Sequence, residues 1–224
     1  MTFRTSRPPL PRLAWLAAAL LATQLLGACV PLVVGGAVMS GMVAVDRRTS
    51  GTQLEDQSIE LKAMTRTREA VGERGHVNAT SYNRTLLLTG EVAADTDKVA
   101  VEQAVAKIEG VRTVVNELVV AGSSSLAARS NDAILTSKVK ASFIDAKDVF
   151  ANAIKVISER GTVYLMGRVT EREANRASDI ARAVSGVQKV VRVFEVITEA
   201  ELAELQPKQG QTQSQPQPQT PPKQ

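Results

Sequence analysis

One thiol and one imidazole, Cys29 and His76, are the chain's whole supply of the side chains that most often do nucleophilic or metal chemistry. They sit in unlike places. Cys29 closes an apolar run in LLGACVP, whereas His76 opens the polar, β-rich stretch HVNATSY and reads as a surface residue. A Ser/His/Asp triad would have one candidate base, zinc-ligand spacing is absent, and no GxGxxG or Walker pattern occurs. The acidic pairs Glu171/Glu173 and Asp95/Asp97 fall at expected helix starts, where the helix dipole accounts for them. The sequence therefore predicts no catalytic residue, no metal ligand and no cofactor. It leaves Cys29 as a thiol whose position needs a reason.

The elements around Cys29 supply one. Arg4, Arg7 and Arg12 give a positive start, and LAWLAAALLATQLL gives an apolar stretch of the length of a signal h-region, interrupted by Thr23 and Gln24. A membrane span would need roughly 20 apolar residues. Leu26, Gly27, Ala28 and Cys29 then resemble a lipobox, in which small residues admit a signal peptidase and the cysteine sulfur takes a diacylglyceryl group. Residues 1–28 are thus expected to be a lipoprotein signal peptide, with acylated Cys29 as the first mature residue and the contact with membrane lipid. Val30 is not acidic, which in bacterial lipoproteins goes with sorting to the outer membrane, facing the periplasm.

Removing residues 1–28 deletes three arginines and no acid, so the formal charge falls from +4 to +1. The basic balance is mostly targeting and gives no ground for nucleic-acid binding. Residues 29–55 are expected to be the acylated N-terminus and a linker. Within them, residues 31–45 are apolar but rich in Gly and Ala, either lying at the lipid surface or forming a tether. DRRTSGTQLEDQ, residues 46–57, reads as linker from its turn formers. Residues 206–224 hold eight Gln and five Pro with no large apolar side chain, the composition of a disordered tail.

Between these segments the chain repeats itself. TLLLTGEV at residues 85–92 aligns with TVYLMGRV at residues 162–169, and IEGVRTVVNELVV from Ile108 aligns with VSGVQKVVRVFEV from Val184. The copies span 56–121 and 130–198, joined by GSSSLAARS. In the second, NDAILTSKVKASFID has helical spacing with Ser130, Asn131 and Asp132 available as caps. AIKVIS and TVYLMGRV form a hairpin around ERG, mirrored in the first copy around Asn83 and Arg84. Thr170 to Glu173 is a capping box before an apolar stripe of Ala174, Ala177, Ile180, Ala181 and Val184, ended by Gly186. A last strand follows. The order αββαβ in each copy predicts an α+β fold, two tandem domains that each pack two helices on a three-stranded mixed sheet. Units of this size gain stability by packing together.

LMGRVTEREANRASDIARAVSGVQKVVRVFEVI in the second copy, VVNEL in the first, and the lipobox followed by DRRTSGTQ resemble the dual BON-domain lipoproteins. The resemblance covers the chain from the lipobox to about residue 197 and leaves only the tail outside it. It implies an outer-membrane lipoprotein that binds anionic phospholipid and supports envelope integrity, often in connection with cell division, with envelope or division proteins as candidate partners. It also places the lipid-binding surface on the first helix of the second domain.

The residues of that helix agree. At 100° per residue, Leu135, Val139, Phe143 and Ala146 share a face assigned to the core. Ile134, Ala141 and Ile144 fall elsewhere, flanked by Lys138 and Lys140, as an interfacial helix requires; Ile134 departs from the resemblance, standing where a member of the family has an aromatic residue. Packing of the strip on the first copy is the competing expectation. Formal charge points the same way: residues 56–120 carry eight basic and ten acidic side chains, residues 131–197 eleven and eight. Two functions stand: a lipid-anchored module that reads anionic headgroups, or a lipid-anchored scaffold that binds an envelope protein.

Overall fold

The computed structural model describes residues 46–205. The signal peptide, Leu26 to Cys29, residues 31–45 and the Gln/Pro tail lie outside the described residues. Helix α1 (Ser50–Val71) begins where the Thr49 side chain accepts a hydrogen bond from Thr52 N at 3.1 Å, and it buries Asp56, Ile59, Ala63, Thr67 and Val71, one residue every three or four. Strands β1 (Gly75–Tyr82) and β2 (Thr85–Val92) form an antiparallel hairpin. Its turn residues Asn83 and Arg84 both have positive φ, 49° and 67°, the hand that suits a tight hairpin. Helix α2 (Asp95–Val105) crosses over, and β3 (Thr113–Asn116) and β4 (Val119–Val120) return parallel to β2.

The second copy repeats this with α3 (Leu126–Asp145), β5 (Ile154–Glu159), β6 (Thr162–Val169), α4 (Glu171–Ala183) and β7 (Lys189–Val196). β5 and β6 pair antiparallel, β6 and β7 parallel. A short α5 (Glu199–Leu205) follows, its Leu202 buried. The expected pair of αββαβ units on three-stranded mixed sheets is present, with the capping box formed at Thr170 and Glu173. Each sheet covers one aliphatic core with its helices, Leu86, Leu88, Val101 and Val105 in the first, Leu135, Val139, Phe143 and Leu165 in the second. Gly90 and Gly167 occupy matching positions because a Cβ there would strike the carbonyl oxygens of His76 and Ala153 respectively.

β2 and β6 are buried on both faces, which alternation alone would not require. Their second faces meet: Tyr82 and Leu87 of the first copy cluster with Tyr164 and Met166 of the second. The two sheets pack face to face with helices outside. Lys155 Nζ reinforces the contact by donating to Glu60 Oε1 at 2.8 Å.

Three expectations are corrected. The supposed linker 46–57 is helical from Ser50, because Thr49 caps a helix rather than forming part of a loop. Arg47 and Arg48 are bound: the Arg47 guanidinium donates to both Glu173 carboxylate oxygens, at 2.7 and 2.8 Å, and to Arg168 O, while Arg48 pairs with Asp46 and Asp56 and stacks over Tyr82. Helix α3 starts at Leu126, not near residue 131, with Ser125 as its cap; Ser130, Asn131 and Asp132 are inside it. Finally, the last strand of the first copy is broken at Glu117–Leu118 because Leu118 turns into the core, although the pairing with β2 keeps its register across the break.

Candidate functional site

Helix α3 is held by its buried face. Leu135, Val139 and Phe143 enter the second core, and the Asp132 carboxylate accepts hydrogen bonds from Arg160 N and Gly161 N, both at 2.9 Å, tying the helix to the β5–β6 turn. Asp56 does the same in the first copy, accepting from Asn83 N, Arg84 N and Ser81 Oγ. Burial alone would raise the Asp56 carboxyl, but these donors and Arg48 outweigh it and hold it below the ordinary range. An acid in each first helix therefore fixes the orientation of that helix over its hairpin. The sequence signal was present as matching positions in the repeat, but Asp132 reads as a cap until the hairpin is in place.

With the core face fixed, the opposite face is set. Ile134 is 55% exposed and Ile144 71% exposed, and Lys138, Lys140 and Ala141 are exposed with them. The five residues are brought together on one outward strip, the lysines on its two flanks. The first copy does not cover it, because the copies meet through their sheets on the other side. Leu126, 80% exposed, belongs to the same strip at the start of the helix, and was missed because the helix was expected to begin later. The strip then runs along a 20-residue helix, about 30 Å at 1.5 Å per residue.

Lys138 and Ala141 also border an open groove of about 550 Å³ between α3 and α4, with Arg176, Ile180 and Val184 across it. Arg176 is paired with Asp148 at 2.7 Å, so of the two cations that line the groove Lys138 is the one this ion pair leaves out. Cationic groups beside alkyl surface are suited to a phosphate diester whose chains lie alongside. A smaller apolar set, Leu54, Leu61 and Met64, is exposed on α1. Among the described residues no helix is long and apolar enough to cross a membrane.

A BON-domain model matches residues 56–122 and 131–198, the two αββαβ units just described. The chain belongs to the BON-domain family, with two copies in tandem. It is 44% identical over 193 residues to the outer membrane lipoprotein DolP of Haemophilus influenzae, covering 84% of this chain and 97% of that protein. It is thereby an outer-membrane lipoprotein of the DolP type. A 21 kDa hemolysin of Actinobacillus pleuropneumoniae is 30% identical over 155 residues, covering 68% of this chain and 80% of that protein. Among solved structures, CdsD of the Chlamydia trachomatis type III secretion system aligns at a TM-score of 0.27 and 13% identity, over 63% of this chain and 96% of that one.

Proposed function

We propose that the protein is anchored in the outer membrane by acyl chains on Cys29, faces the periplasm, and reads anionic phospholipid through the outer strip of α3. The observation that carries this reading is the exposure of Ile134 and Ile144 on a helix whose core face is already satisfied, with Lys138 and Lys140 beside them. Alkyl side chains there can enter the headgroup boundary while the ammonium groups meet phosphate. A lipid anchor and a basic apolar surface are each weak, and stable membrane residence commonly needs two such signals. The module binds and does not catalyse. Through the family resemblance the role extends to envelope integrity and to the division site.

The test is co-sedimentation of residues 46–205 with anionic and with neutral phospholipid vesicles. Binding is expected with anionic vesicles only, lost in Ile134→Asp and weakened in Lys138→Glu. A folded fragment that stays in the supernatant with both vesicle types would sink the reading. It would favour a scaffold that holds an envelope protein, for which the exposed Leu54, Leu61 and Met64 of α1 offer a surface.

A further inference from the structure

His76, Glu91 and Glu159 converge where the two copies meet, away from α3's outer strip. His76 and Glu91 are direct cross-strand partners in the β1–β2 hairpin, so the register alone sets them side by side. Glu159 ends β5 of the other copy and arrives through the packing of the sheets. One potential ligand atom from each lies within 4.8 Å of the other two. His76, expected on the surface, is half buried, and both carboxylates are buried.

Glu91 is the unusual member. It is 0% exposed, yet only Oε1 is engaged, by Ser124 Oγ and by Arg160 Nη1 at 3.1 Å. Oε2 has no hydrogen-bond partner among the described residues, and neither has His76 Nδ1, 3.7 Å away. Two buried polar atoms that face each other beyond hydrogen-bond distance are costly unless something lies between them. Charge points to a cation. Three carboxylates, Glu91, Glu159 and Asp132, stand against two guanidinium groups, Arg160 donating to Glu91 Oε1 and Arg129 lining the same cleft with its buried Nε unpartnered among the described residues.

We propose that His76 Nδ1, Glu91 Oε2 and one Glu159 carboxylate oxygen bind a single divalent transition-metal ion of the zinc class, clasping the first copy to the second. One imidazole nitrogen with two carboxylates is a donor set zinc accepts, and it leaves a fourth position for water. Bonds of about 2.1 Å place ligand atoms about 3.4 Å apart, so closure by at most about 1.4 Å completes the site. Supporting hydrogen bonds are already in place: Asn78 Nδ2 donates to Glu159 Oε2 at 2.9 Å, and Ser124 and Arg160 hold the other oxygen of Glu91. A cleft lined by His76, Asn78, Asp132, Thr136 and Glu159 gives an ion a way in. The site does not depend on lipid binding by α3.

The test is titration of the full-length acylated protein in detergent micelles, with Zn²⁺ by calorimetry and with Co²⁺ by visible absorption. His76→Gln and Glu159→Gln are run beside it. One Zn²⁺ per chain is expected, weakened at least about tenfold in each variant. Co²⁺ should give ligand-field bands in the wild type alone, and Zn²⁺ should raise its melting temperature but not that of the variants. Melts without metal show whether the variants are folded; if they are not, the wild-type stoichiometry and Co²⁺ spectrum decide. Absence of saturable binding by the wild type, binding that survives both substitutions in folded protein, or a melt that responds to pH but not to metal would each overturn the proposal.

Discussion

A charge removed from water is stable only if its partner and its hydrogen bonds offset the desolvation, and Arg47 meets that condition with a forked pair to Glu173 and a bond to Arg168 O. The two side chains are 7% and 2% exposed. Arg47→Ala strands a buried carboxylate and is expected to cost about 3–5 kcal/mol, read by urea unfolding, with Arg47→Lys recovering part of it. The same pair has a pH signature. Burial raises the Glu173 carboxyl, but Arg47 and the Thr170 N–H outweigh it and hold it below its ordinary value of 4.5. The folded state then binds fewer protons than the unfolded one, so the stabilisation is complete above pH 4.5 and is lost as pH falls through the lower folded value. Glu173→Gln should flatten the fall of the urea midpoint across that acid range; an unchanged slope would remove Glu173 from the account. Nothing local in DRRTSG announces this pair, because its acid lies in the other copy.

At the scale of elements, what is local was legible and what depends on a neighbour was not. The Thr170–Glu173 box and the stripe of Ala174, Ala177 and Ala181 lie within one helix, and both appear as expected. The start of α3 was hidden because Ser125 closes a serine run that resembles a linker, and the β3–β4 break was hidden because only the folded core shows why Leu118 turns inward. The core face of α3 was readable from spacing, and so was the outward position of Ile134, Lys138, Lys140, Ala141 and Ile144. The earlier start adds a prediction. Leu126→Asp and Ile144→Asp should each reduce sedimentation of residues 46–205 with anionic vesicles while leaving the melt within about 2 °C, since exposed substitutions change stability little. A loss of binding matched by a loss of fold would assign these residues to structure instead.

For the molecule as a whole, the repeat gave two units, but their mode of union lay in a signal read only one way. TLLLTGEV and TVYLMGRV are apolar on both faces, the mark of strands covered twice, and the second cover proves to be the other copy. If that contact makes one cooperative body, the wild type should unfold in a single calorimetric transition. Met166→Asp buries an unpaired charge between the sheets and is expected to separate the transition into two, one per copy. Tyr164→Ala should cost about 3 kcal/mol without separating them. Two transitions in the wild type would mean that the sheets touch without cooperating.

The Arg47 pair also orders events in time. Its two ends are separated by 126 residues of chain, and between them lie the whole first copy and most of the elements of the second. A contact that closes so long a loop forms late, because local hairpins and helices assemble before distant segments are brought together. Glu173 sits on α4, so the fork waits for a helix near the far end of the chain to dock. Arg48 can engage Asp56 and Tyr82 as soon as the first copy has folded, whereas its neighbour Arg47 waits for α4, so the two adjacent arginines are locked in succession, one by each copy.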